Sequence, residues 1–297
     1  MSPTSSRRTP DLQEFFGRIP SAFHSLAAPE IQSLLHELPP SFTALGVSRE
    51  GTPIGLAVVE RQKRAGMSHL LALTIADAER GRGYGHLLLS ALETSLRQKG
   101  THTLGVEYVS GTNLPSVEAG FLTACGFATP RPGIFIWGGP LQVIHDLPWV
   151  ERMRLPEAFT CDFFTTLTAE ERSFVKNGLG VWYPPILSPF ADEDSIDCER
   201  SLVLRYLGVV VGWLILERFD ARTVLYKTMF VHRRHQRMGR GVALVAEASR
   251  RLVSDPEFQD WVFFVEAENE GMVRFMNDHI SRPVAQKEVL WRTVKKL

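Results

Sequence analysis

Cysteine is scarce in this chain: three residues in 297, Cys125, Cys161 and Cys198, scattered and odd in number. They form neither a disulfide framework nor a metal-ligand spacing, so no metal is expected and a reducing, cytoplasmic setting is the reading. Cys125, inside an apolar helical pattern, reads as a small core residue. Long apolar runs are missing too. None reaches the roughly 20 residues that a helix needs to cross a bilayer. The opening MSPTSSRRTP leads into no apolar segment of the signal-peptide kind and reads as a flexible tail. Net charge is also absent: 33 Lys and Arg balance 33 Asp and Glu. No overall field draws the protein to nucleic acid or to an anionic membrane, and neither partner is expected.

Glycine is present where it matters. Residues 70–96 read as an apolar strand, a turn crowded with glycine and an amphipathic helix, with Arg80-Gly81-Arg82-Gly83-Tyr84-Gly85 at the centre. Glycines leave backbone amides uncovered and free to adopt unusual dihedrals, so several N–H groups can converge on one anion. At a helix start they add to the positive end of the macrodipole, which makes a phosphate cradle. Leu88, Leu89, Leu92 and Leu96 give the helix an apolar stripe, and Gly100 ends it.

The pattern occurs twice. In residues 223–252 the segment Gln236-Arg237-Met238-Gly239-Arg240-Gly241 stands where Arg80 to Gly85 stood, an offset of 236 − 80 = 156 residues. Asn113 and Asn269 each follow the last glycine of their turn by 28 residues (113 − 85, 269 − 241). A duplicated turn with a matched downstream residue points to two copies of one domain. His232, Arg233, Arg234, His235, Arg237 and Arg240 add a basic patch around the second turn, suited to phosphates. A dinucleotide fingerprint is excluded because His86 stands where its third glycine belongs, and no Gly-Lys-Ser/Thr phosphate loop is present.

The remaining pattern gives the expected organisation. Residues 11–38 read as helical pieces, 42–47 and 53–60 as a hairpin, 68–76 as the strand entering the first turn, 102–109 as a strand and 114–125 as a helix. A closing strand pair is expected around Pro130 to Gly133, and Gly138, Gly139, Pro140 and Pro148 mark a junction. Domains at 1–147 and 148–297 follow. In the second, a strand at 150–154, a helix at 168–177 capped by Thr168, strands at 201–207, 209–218 and 223–231, a strand at 260–268, a helix at 270–279 and a last strand at 284–293 are expected. Residues 182–198 read as an irregular loop rich in aromatic and acidic residues, either an acceptor-binding lid or a surface excursion.

The form Arg/Gln-x-x-Gly-x-Gly after an apolar strand and opening a helix resembles the acyl-CoA pyrophosphate loop of the GNAT acyltransferase superfamily, over roughly residues 42–137 and 201–280. The resemblance implies an α+β fold with a mixed sheet in each half, mostly antiparallel, twisted and flanked by helices. It implies acetyl-CoA or another acyl-CoA as cofactor and transfer of the acyl group to an amine of a small molecule or peptide, by a monomer or homodimer. Arg80, Arg82, Gly83 and Gly85 in the first half, and Gln236, Met238, Gly239 and Gly241 in the second, are implied to hold the pyrophosphate. Leu73, Ile75, Met229 and Val231 are implied to bond the pantetheine amides, with Asn113 and Asn269 on the cofactor side; helix capping accounts for the two asparagines equally well.

Attack by an amine needs a neutral nitrogen, so a positioned base helps. His69, early on the first strand before a glycine turn, changes charge near neutral pH and is one candidate; Glu217, on the strand before the second, is another. The family's usual thiolate-protonating tyrosine is missing. Its place falls on Met276 in the second half and on Gly120 or Leu122 in the first. Tyr108 and Tyr226 are the substitutes on offer. The regular second asparagine helix and the adjacent loop favour chemistry in the second half, and His69 favours the first. A module that binds acyl-CoA without catalysis is the alternative.

Overall fold

The computed structural model of the chain describes residues 10–62, 66–112, 116–236, 239–280 and 286–297. Two of its hairpins show how local sequence sets the sheets. Strands β2 (Phe42–Arg49) and β3 (Thr52–Arg61) are joined by Glu50-Gly51, both at positive φ (53° and 80°). Strands β8 (Leu202–Tyr206) and β9 (Val209–Arg218) are joined by Leu207-Gly208, at 48° and 80°. Two successive left-handed residues give the turn whose twist matches the strands it connects.

From β3 the chain enters β4 (Met67–Ile75), passes the first glycine turn into helix α1 (Tyr84–Gln98), and returns through β5 (Thr103–Gly111) and α2 (Val117–Ala124). The second half repeats the order: β9 leads to β10 (Thr223–Val231), the second turn, α6 (Arg240–Leu252), β11 (Asp260–Glu266) and α7 (Glu270–His279). Each half is an α+β sheet, mostly antiparallel, with one parallel pair, β4 with β5 and β10 with β11.

Two local expectations change here. Residues Asp11–Phe15, expected within a helical stretch, form strand β1, paired antiparallel to β2, and two 3-10 turns, Ser21–Leu26 and Pro29–Leu34, follow it. Pairing to an existing edge overrides weak local helix preference. Of residues 150–154, expected as a strand, the first three fall on the short helix α4 (Pro148–Arg152), which follows α3 (Leu141–His145). Pro148 occupies its first turn, where no N–H is needed. The strand comes later, as β7 (Phe159–Phe163), before α5 (Ala169–Asn177). Thr168 and Glu171 close the expected cap of α5 as a reciprocal box.

The chain divides into two compact units, Met1–Gly133 with Leu290–Leu297, and Ile134–Val289. The sheet of the first runs β1-β2-β3-β4-β5-β12, where β12 (Gln286–Lys296) supplies its last residues; the sheet of the second runs β6-β11-β10-β9-β8-β7, with β6 spanning Arg131–Pro140. The pair expected around Pro130 to Gly133 is thus a single strand, and it pairs with β11 from Ile134 to Pro140. These units differ from the expected halves 1–147 and 148–297: each takes its closing strand from the other half of the sequence.

Both faces of each sheet are covered. In the first unit, α1 and Cys125 pack on Val59, Leu70 and Leu104, and the N-terminal turns pack Phe23 and Ile31 on Leu56, Val58 and Ala72. In the second, α6 covers Leu214, Leu216 and Tyr226, while Tyr183 and Phe164 cover Trp213, Ile215 and Phe230. No helix among the described residues is long and apolar enough to cross a membrane.

Candidate active site

In each unit the two parallel strands part. β4 pairs with β5 only from Met67↔Thr103 to Leu70↔Val106, and β10 with β11 only from Thr223↔Asp260 to Tyr226↔Phe263. The next residue on each first strand, Leu71 or Lys227, is an extra residue in the antiparallel ladder to β3 or β9. Such a bulge bends its strand and raises its twist, which accounts for the parting. Beyond it, Leu73 and Ile75 pair only with β3, and Met229 and Val231 only with β9. Their other edge is open to a ligand with amide groups of its own.

The glycine turns end at that gap. Gly83 (φ 87°) and Gly239 (φ 74°) are the left-handed residues before α1 and α6; neither helix has a side-chain cap or an acidic residue in its first turn. The first-turn amides therefore have neither a capping partner nor a competing carboxylate, the arrangement that binds an anion. Leu73, Ile75, Arg80, Gly83 and Gly85 line a cleft of about 490 Å³, closed on one side by Phe121. Met229, Val231, Gln236 and Gly241 line one of about 460 Å³ in the second unit, with Trp182 and Leu187.

Arg80 and Gln236 do the same thing by different chemistry. Arg80 Nε donates to the Ile75 carbonyl at 3.2 Å, and Gln236 Nε2 donates to the Val231 carbonyl at 2.9 Å. Each side chain folds the turn back onto the end of its strand, which explains why either residue type serves at the first position. Arg82 is held by Glu79 at 3.3 Å, and the same carboxylate takes Arg49 at 2.9 Å. Arg49 and Glu79, far apart in the chain, carried no local sequence signal. Asn269 accepts from the Met272 N–H at 3.2 Å and caps α7. In the first unit that capping role belongs to Ser116. Asn113, Arg237 and Met238 lie outside the described residues.

The candidate proton carriers fare differently. Tyr226 is a core residue: 3% exposed, stacked on Phe263 at 4.2 Å, its hydroxyl 3.1 Å from Ser249 Oγ beneath α6. Burial pushes its pKa well up, and no acceptor can reach it. Glu217 lies on the sheet face away from α6 but is bound to Lys227 Nζ at 2.6 Å. Burial works against the Lys227 charge, yet bonds to Glu217 and to Asp192 outweigh it and keep the pKa raised. Met276 and Leu122 are both core residues. Tyr108, on β5, keeps a raised pKa because of burial.

His69 is half-buried on β4, directly opposite Glu60 on β3 and beside Gly105 on β5. Part of loop 182–198 is pinned by ion pairs of Arg172 with Glu193 (2.7 Å), Lys227 with Asp192 (3.3 Å) and Arg200 with Asp197 (2.9 Å). From it Trp182 and Leu187 face the second cleft. Arg233 of the basic patch lines that cleft as well.

A parted parallel pair, each time with an uncapped glycine turn at its end, defines an acyl-CoA-dependent transferase fold, and the chain belongs to the GNAT acetyltransferase family, whose model matches residues 9–127 and 163–279. No curated protein matches its sequence. Among solved structures it is similar to a tandem GNAT protein from the clavulanic acid biosynthesis pathway, solved without acetyl-CoA (TM-score 0.62, 15% identity, covering 96% of this chain and 98% of that one). It is also similar to a GCN5-related N-acetyltransferase from Sphaerobacter thermophilus (0.55, 18%, 96% and 95%). A third similarity is to the glucosamine N-acetyltransferase region of a fungal multi-domain GH3 β-N-acetylglucosaminidase (0.57, 16%, 96% and 38%). At these identities the likeness is one of fold.

Proposed function

We propose that the protein is a CoA-dependent N-acyltransferase that moves an acetyl group from acetyl-CoA to an amine of a small molecule or peptide by direct attack. The observation that carries this reading is the open strand edge meeting an uncapped, left-handed glycine turn in both units. Acyl-CoA supplies the activated thioester carbonyl and the thiol leaving group. The chain supplies the rest: the amides after Gly83 and Gly239 receive the diphosphate, the edges at Leu73 to Ile75 and Met229 to Val231 receive the pantetheine, and an N–H near the bulge polarises the carbonyl oxygen. His69 is the base that takes the amine's proton. Glu217 is a poor second choice because Lys227 neutralises it.

A non-catalytic acyl-CoA-binding module remains the second reading, favoured by the burial of Tyr226 and the pairing of Glu217. Calorimetry with CoA, followed by thiol release from acetyl-CoA across a panel of primary amines, separates the two. Amine-dependent thiol release is expected. Binding of CoA with no release above hydrolysis supports the module, and no binding of CoA at all sinks both.

A further inference from the structure

We propose that the second unit receives its acceptor on an aromatic shelf built around Trp182, and that this acceptor is a monoamine carried on an aromatic or branched aliphatic body. This assignment rests on the acyltransferase reading above and narrows its substrate. The second glycine turn opens α6, which covers one face of the sheet, so a diphosphate held there leaves the opposite face to the acceptor. Trp182 and Leu187 pack on that opposite face with Trp213 and Phe230. Both also line the second cleft, beside the open strand edge at Met229 and Val231. The first cleft is walled differently, by Phe121 of α2 on the face that α1 covers.

The shelf is held in place from below. Gly178 ends α5 with φ at −78°, an ordinary helical value, so its backbone makes no demand for glycine. The demand comes from the indole: a Cβ at that position would lie 1.9 Å from Trp182 Nε1. The ring centroids of Phe174 and Phe230 lie 5.6 Å from that of Trp182, and that of His232 lies 5.7 Å away. Trp213 Nε1 donates to the Leu187 carbonyl at 2.9 Å, and the Tyr183 hydroxyl donates to the Val175 carbonyl at 3.0 Å, which pins the chain on either side of Pro184-Pro185. A rigid aromatic surface gives contact area at little entropic cost on binding. Its rim is apolar as well: Val181 is 80% exposed and Ile186 76%. Large apolar side chains left together in water beside a cleft mark a surface that an apolar ligand covers.

Charge narrows the acceptor further. Among the described residues that line the second cleft there is no carboxylate, and the one charged side chain is Arg233. The acids nearby are paired with protein cations: Glu217 and Asp192 with Lys227, Glu193 with Arg172, Asp197 with Arg200. A polyamine therefore finds no partner for its further charges, and Arg233 repels them. A single amine on an apolar body meets neither obstacle. Burial of that body disfavours the ammonium form and supplies a neutral nitrogen, where the neutralised Glu217 supplies no base. The nitrogen attacks the thioester carbonyl, the C–N bond forms and the C–S bond breaks. The amine's proton reaches the departing thiolate through water, giving an amide and a free thiol.

Thiol release from acetyl-CoA by the full chain tests the shelf, with 2-phenylethylamine and spermidine compared at equal concentration. kcat/KM is expected to be higher for 2-phenylethylamine by about 10-fold or more. Trp182→Ala should raise the KM for 2-phenylethylamine by about 10-fold or more and leave that for spermidine unchanged. Gly178→Ala keeps the indole but displaces it, and should act in the same direction. A preference for spermidine, or an unchanged KM for 2-phenylethylamine in both folded variants, overturns the proposal. Octanoyl-CoA distinguishes the other apolar occupant, an acyl chain: if Trp182→Ala weakens its binding while the KM for 2-phenylethylamine holds, the shelf serves the acyl group and the proposal falls. If the wild type binds acetyl-CoA but releases no thiol with either amine, the acyltransferase reading fails by itself. Calorimetry of 2-phenylethylamine into the CoA-loaded protein then decides the shelf: binding that is lost in Trp182→Ala and Gly178→Ala supports it, and no binding, or binding unaltered in both, sinks it.

Discussion

At the scale of the residue, burial separates the candidates that composition offers. Tyr226 stands next to His69's counterpart in the repeat and has the right functional group, but its hydroxyl faces Ser249 under α6. Tyr226→Phe should cost about 1 kcal/mol in a denaturant melt, the worth of one hydrogen bond, and leave acyl transfer at the wild-type rate. A large loss of turnover in the folded variant would restore it as an acid. His232 is a second case. Burial, followed by the charges of His235, Arg234 and Arg233, lowers its pKa in the folded protein. A depressed folded value means that the unfolded chain takes the proton first. Its contribution to stability is complete above the unfolded value of about 6.5 and is lost as pH falls through the lower folded one. Denaturant midpoints at pH 7, 6 and 5 should fall, and fall less in His232→Gln; parallel curves would remove His232 as a source.

At the scale of the element, the glycine turns were legible because everything they need is local. A left-handed residue before a helix wants glycine, and an anion at a helix start wants bare amides. Gly83→Ala and Gly239→Ala should each cost about 1 kcal/mol of stability, since φ lies near 80° at both. Gly83→Asp and Gly239→Asp add a carboxylate at the cradle and should each abolish one CoA site by calorimetry. Unchanged stoichiometry in either would refute that unit's site. The strand that each turn follows was legible too, but its bulge was not. Leu71 and Lys227 look like ordinary strand residues, and only pairing with β3 and β9 makes them extra.

At the scale of the whole molecule, the repeat predicts two domains and the sheets redistribute their last strands. The end of β12 serves the first unit, where Lys295 Nζ lies 2.6 Å from Glu93 Oε1. Glu93 is 5% exposed, and its other partner, Arg97, is at 3.4 Å. Lys295→Ala should cost about 3 kcal/mol, because breaking a buried pair strands a charge. A chain ending at residue 289 should lose the first unit's fold by hydrogen exchange; a fully protected first unit in that truncation would show that β12 is dispensable to it. The sequence by itself determined the duplication, the glycine turns that open the two helices and the family, because those rest on short-range rules of backbone geometry and repetition. The tertiary structure alone decided which strand closes which sheet, that Tyr226 is core, and that Lys227 holds Glu217. All three follow from strand register and burial, which join residues far apart in the chain.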